Sequence, residues 1–136
     1  MFYLGRGLDY VIAVEGALKS KEISYIHSEA FASGELKHGT IALITDGVPV
    51  VVNVTQSDLF EKSVSNIKEV TSRGAYVVAI AKEGNTIVEE VADEVFYIPN
   101  VEDDYAGFPT IVIHQLLAYY LSKLKGNDVD KPRNLA

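Results

Sequence analysis

The chain has 136 residues, 48% of them hydrophobic and 23% charged, with ten Gly and four Pro, the composition of one ordered globular domain. It contains no Cys, which excludes disulfides, zinc–thiolate centres and a cysteine nucleophile. Its formal net charge of −7 has the wrong sign for a sequence-blind grip on nucleic acid or an anionic membrane surface, and no apolar run approaches the roughly 20 residues that span a bilayer.

Residues 2–5 (FYLG) read as a short apolar strand ending in a glycine turn. Asp9 is the expected cap of the helix that follows, which runs to about Ile23 without a proline. Residues 26–31 (IHSEAF) are assigned to a strand because the next stretch, SGELKHGTIALI, has the pattern of a cap and a second helix. VPVVVNV at 48–54 is mostly β-branched, the mark of a strand buried on both faces. Residues 57–74 give an amphipathic helix with Phe60, Val64 and Ile67 on one side, Leu59 and Val70 at the edge, and Gly74 as the stop. AYVVAIA (75–81) is another buried strand, GNTIVEEVA (84–92) a short helix, EVFYIP (94–99) a strand and 108–126 a long last helix. The polar tail NDVDKPRNLA (127–136) is expected to be irregular.

Strands alternating with helices predict an α/β protein. The expected architecture is a three-layer αβα sandwich around a five-stranded parallel, doubly wound sheet of flavodoxin-like strand order. Neither a repeat nor a linker divides the chain, so one domain spans 1–126 and the tail 127–136 follows it.

On the first helix, Glu15, Lys19 and Glu22 fall at i, i+4 and i+7 and share a narrow wedge. Val11 and Leu18 flank it on one side, Ile12 and Ile23 on the other, with Ala13, Val14 and Ala17 beyond, so a mostly covered helix with charges set into apolar surroundings is expected. Two readings of the wedge stand: a solvated stripe of ion pairs, or a partly desolvated Glu22 tuned by Lys19 for acid–base work. Glu22 would then lie far from the carboxyl ends of the strands, where such sheets hold ligands, and would serve a substrate held by another domain. Of the three histidines, His38 lies in a polar turn, while His27 and His114 are expected to be structural; no pair has ligand spacing, so no metal and no cofactor is expected. LGRGLDY lacks the third glycine of a dinucleotide fingerprint and any Ser or Thr to hold a phosphate.

FYLGRG, AVEGALKSKEISYIHSEAFASGELKHG and KGNDVDKPRNLA closely resemble the second sugar-isomerase (SIS) domain of the glucosamine-6-phosphate synthase family, the glutamine–fructose-6-phosphate aminotransferases (isomerizing). The likeness covers essentially the whole chain, and EGALKSKEISYIH, GELKHG and DKPRNLA are specific to that family; Ser20 stands where its pattern has leucine. The resemblance implies a cytoplasmic homodimer in which a glutaminase domain releases ammonia and a first SIS domain cradles fructose 6-phosphate and the product glucosamine 6-phosphate. It implies that Glu22 moves a proton between C1 and C2, that Glu15 and Lys19 orient or tune it, and that His38 opens the sugar ring in the neighbouring subunit's site. The family's Schiff-base lysine follows RNLA, so the chain to Ala136 is expected to stop one residue short of it and to be inactive alone. A non-catalytic SIS module that binds sugar phosphates to regulate a partner, and a nucleotide-binding α/β domain, are the competing readings.

Overall fold

A computed structural model describes residues 1–135; the last residue of the expected tail lies outside the described residues. Five parallel strands, β1 (Phe2–Gly5), β2 (Glu29–Ala32), β3 (Pro49–Val54), β4 (Tyr76–Lys82) and β5 (Glu94–Ile98), form one sheet in the order β2-β1-β3-β4-β5. This is the doubly wound, flavodoxin-like order. The central strands are buried on both faces because their β-branched side chains alternate between two cores. Val50, Val52 and Val54 join Leu4, Leu36, Ile67, Val70 and Val88 on one side, while Val51 joins Tyr3, Ala13, Ala17, Ile80 and Ile98 on the other.

Among the described residues three α-helices cover the sheet: α1 (Leu8–Ser24), α2 (Phe60–Thr71) and α3 (Gly107–Leu124). Helix α2 lies on the first face, where Val64, Ile67 and Val70 are buried and Phe60 is half-buried. The expected helix over 33–44 is instead two short 3-10 turns, Leu36–His38 and Thr40–Leu43, split by Gly39 at φ 148°. Leu36 and Ile44 are the buried hydrophobic anchors of that stretch, too few to offset the cost of nucleating a helix across a glycine. The expected helix over 84–92 likewise shortens to a 3-10 turn at Thr86–Glu90. The strand expected at 26–31 begins three residues later, because α1 runs to Ser24 and residues 25–28 make the turn.

Helices α1 and α3 pack against one another on the second face through small residues. The buried residues of α1 are Asp9, Ala13, Gly16, Ala17, Ser20 and Ser24, and those of α3 are Thr110, His114, Ala118 and Ser122. Gly16 abuts His114, and Ser122 Oγ donates to the Ile23 carbonyl at 2.8 Å. Close approach is needed at Gly16, where an added Cβ would lie 2.6 Å from His114 Nδ1 and 2.7 Å from its Cγ. Gly16→Ala is therefore expected to lower stability by about 2 kcal/mol, the overpacking cost exceeding the gain in helix propensity; a thermal melt measures it. This seam also corrects the expectation of a mostly covered α1. Small side chains take the buried side, so Val11 (58% exposed), Val14 and Leu18 remain at the surface, as do Val112, Leu116 and Tyr120 of α3.

His114 is fully buried. Its Nε2 lies 2.9 Å from Asn53 Oδ1, and the Asn53 amide in turn donates to the Asp9 carbonyl at 3.0 Å. The Tyr3 ring packs on the imidazole with centroids 5.5 Å apart. Since Asn53 offers Oδ1 as an acceptor, the histidine is the neutral tautomer protonated at Nε2, and Nδ1 has no partner among the described residues. Burial pushes its pKa down to about 4.

Candidate active site

The wedge of α1 is assembled as its spacing implies. Lys19 Nζ stands 3.1 Å from Glu15 Oε1 and 3.4 Å from Glu22 Oε2, one ammonium between two carboxylates a helical turn to either side. The side chains of Glu15, Lys19 and Glu22 are 42%, 33% and 37% exposed within this chain, half-buried rather than sealed. The hydrogen bond from Lys19 to Glu15, reinforced by both negative charges, raises the lysine's pKa. Glu22 also borders a shallow cleft with Leu18, Lys21, Tyr25, Arg133 and Asn134, at the last turn of α1. At 1.5 Å per residue, that is about 20 Å along the axis from the start of the helix.

His38 is not brought to this wedge. It ends a 3-10 turn whose Leu36 is packed into the opposite face of the sheet, and its Nδ1 lies 2.8 Å from Glu35 Oε2 with both side chains largely exposed. His27 is exposed as well, 3.7 Å from Glu29 Oε1. Among the described residues no group of three or more His, Asp or Glu converges as a metal site.

At the carboxyl ends of β1, β3 and β4, where a doubly wound sheet opens its crevice, the chain fills the space itself. Asp9 does not cap its own helix, which follows Gly7. Its buried carboxylate accepts the Thr55 backbone N–H at 2.7 Å, the Thr55 hydroxyl, and the Gln56 N–H at 3.3 Å. Burial raises the Asp9 pKa, and these donors oppose that rise. Two residues further on, Ser57 gives its N–H at 2.7 Å and its hydroxyl at 2.8 Å to Asp103, which also pairs with buried Lys82; the lysine above all lowers the Asp103 pKa. The Thr55–Ser57 turn is thus a set of hydroxyl and amide donors at a strand end, already occupied by two side-chain carboxylates. The first glycine turn is tight for packing reasons: a Cβ on Gly5 would lie 2.3 Å from the Asp9 carbonyl carbon.

A family model for the SIS domain matches residues 1–124. The chain belongs to the SIS domain family. This SIS domain is 64% identical over all 136 residues to the glutamine–fructose-6-phosphate aminotransferase [isomerizing] of Clostridium acetobutylicum, and it spans 22% of that protein's length. Its fold matches the C-terminal domain of glucosamine-fructose-6-phosphate aminotransferase from Francisella tularensis at a TM-score of 0.86 and 42% identity, covering 96% of this chain and 37% of that one. It also matches tagatose-6-phosphate ketose/aldose isomerase from Escherichia coli at a TM-score of 0.82 and 27% identity, covering 96% and 37% of the two chains.

Sequence reasoning missed the interlocked crevice of the SIS domain. Thr55, Gln56 and Ser57 follow the most β-branched strand of the chain, and that position was the available signal. Their acceptors, Asp9 and Asp103, lie 46 residues away on either side and carry no local pattern.

Proposed function

We propose that this chain is the second SIS domain of a glutamine–fructose-6-phosphate aminotransferase (isomerizing), and that it supplies acid–base groups to the ketose-to-aldose step. The observation that carries this reading is the identity to such an enzyme over the whole chain, together with the Glu15–Lys19–Glu22 wedge. In this reading Glu22 takes a proton from one carbon of the open-chain sugar and returns it to the neighbouring carbon. A glutamate suits this role because its carboxylate can accept a proton from one carbon and deliver it to the next. Lys19 holds the carboxylate in one rotamer and Glu15 holds Lys19. His38, on the other sheet face, opens the sugar ring in a neighbouring subunit, since an imidazole can both give and take a proton. The phosphate is held by the preceding SIS domain, and ammonia comes from a glutaminase domain.

The filled crevice favours this division of labour over a self-sufficient sugar-phosphate module, because the donors of the Thr55–Ser57 turn are already taken. Calorimetric titration of the 136-residue chain with fructose 6-phosphate is expected to show no saturable heat. A micromolar Kd would instead favour the regulatory module.

A further inference from the structure

We infer that Tyr25 is a positioning residue that docks the C-terminal segment against the Glu22 cleft; this deepens the reading of Glu22 as the proton carrier and rests on it. Tyr25 directly follows α1 and is the one non-glycine with positive φ among the described residues, at 58°. A helix stop of this kind is ordinarily a glycine, since the left-handed conformation strains any residue with a Cβ. Here the chain keeps a tyrosine, and both ends of its side chain are used. The Tyr25 hydroxyl accepts the Arg133 backbone N–H at 3.0 Å, and the Arg133 guanidinium lies 4.2 Å from the centre of the Tyr25 ring.

The approach to that contact is fixed as well. The Ile23 carbonyl accepts from Ser122 Oγ at 2.8 Å and Asn127 Nδ2 at 3.3 Å, and the Ser24 carbonyl accepts from Lys125 Nζ at 2.6 Å. The last turn of α1 is therefore tied to the end of α3, from which the tail departs. Asp130 N–H then bonds Asp128 Oδ1, Pro132 is buried, and Arg133 and Asn134 arrive as one wall of the cleft that Glu22 borders. The tail, irregular as expected, is nevertheless docked as a strap.

The test uses the full-length enzyme carrying Tyr25→Gly and Tyr25→Phe. Glycine accepts the left-handed backbone, so the fold is kept while the dock is removed; phenylalanine keeps the ring under Arg133 and loses the acceptor. Hydrogen–deuterium exchange across 127–135 is expected to speed up about tenfold or more in Tyr25→Gly and less in Tyr25→Phe, with the rest of the domain unchanged. In parallel, kcat for aminated product is expected to fall about 10²-fold in Tyr25→Gly, the cost of an ångström-scale misplacement, while KM for fructose 6-phosphate and glutamine hydrolysis hold and Tyr25→Phe recovers most of the rate. Unchanged exchange in Tyr25→Gly overturns the dock, and faster exchange with unchanged kcat overturns its positioning role. The exchange readout is independent of activity, so a normal rate in Glu22→Gln would remove the reading of Glu22 and leave the dock standing or falling on exchange alone.

Discussion

Glu22→Gln in the full-length enzyme is expected to cut formation of aminated sugar phosphate by ~10²–10⁴-fold, the range for a lost acid–base group, or about 3–5 kcal/mol of barrier. The substitution is nearly isosteric. A glutamine oxygen can still accept from Lys19, and the 3.1 Å pair of Lys19 with Glu15 is untouched. What is lost is the capacity to take up a proton and give it back. Binding of fructose 6-phosphate, assigned to another domain, and hydrolysis of glutamine are therefore expected to stay near their normal values. Measuring the two half-reactions separately distinguishes these outcomes. Near-normal turnover in this variant would take Glu22 out of the mechanism and leave the wedge as an ordinary stripe of surface ion pairs.

The second large effect concerns stability against pH. His114 is neutral in the folded domain, with its pKa pushed from 6.5 down to about 4 by burial. In the unfolded chain it takes a proton near pH 6.5, so between that value and about 4 the unfolded state binds more protons than the native one. The stability contributed by the neutral imidazole is thus complete above pH 6.5 and lost as pH falls toward 4, by about 3 kcal/mol. Asp9 acts the other way, since its raised pKa favours proton uptake by the folded form as pH falls. Asp103 adds to the loss only at more acid pH, where its lowered pKa lets the unfolded carboxyl protonate first. Denaturant unfolding is expected to show lower stability at about pH 4.5 than at about pH 7, the His114 loss being partly offset by Asp9. His114→Gln, less stable at both values, is expected to flatten the slope. An equal slope in both proteins, or a His114 titration midpoint at its ordinary value by NMR, would contradict this linkage.

The sheet was legible because its signals are local. β-Branched runs at 48–54 and 75–81, each closed by a turn, specify strands whose alternate residues reach separate cores, and right-handed crossovers leave few topologies for five of them. The charged wedge was legible for the same reason, since i, i+4 and i+7 are neighbours on any helix. Which side of α1 is buried was not. Val11, Val14 and Leu18 carry the hydrophobic weight, yet the side turned to the sheet and to α3 carries Ala13, Gly16, Ala17 and Ser20. Residues 33–44 misled in another way: a helix-like spacing conceals Gly39, whose φ of 148° ends one turn and begins another. The bonds of Asp9 with Thr55 and of Asp103 with Lys82 join residues 46 and 21 positions apart, and only the folded sheet brings them together.

Asp103 gives this domain a lasting specialisation. A carboxylate tethered to the same chain competes for Ser57 and Lys82 at an effective concentration that a free anion rarely matches. In this fold the strand-end donors that comparable sheets offer to a ligand are engaged by a side chain of the chain itself. Under the proposed function, such a domain leaves phosphate binding to its neighbour and offers Glu22, at the opposite end of α1, instead.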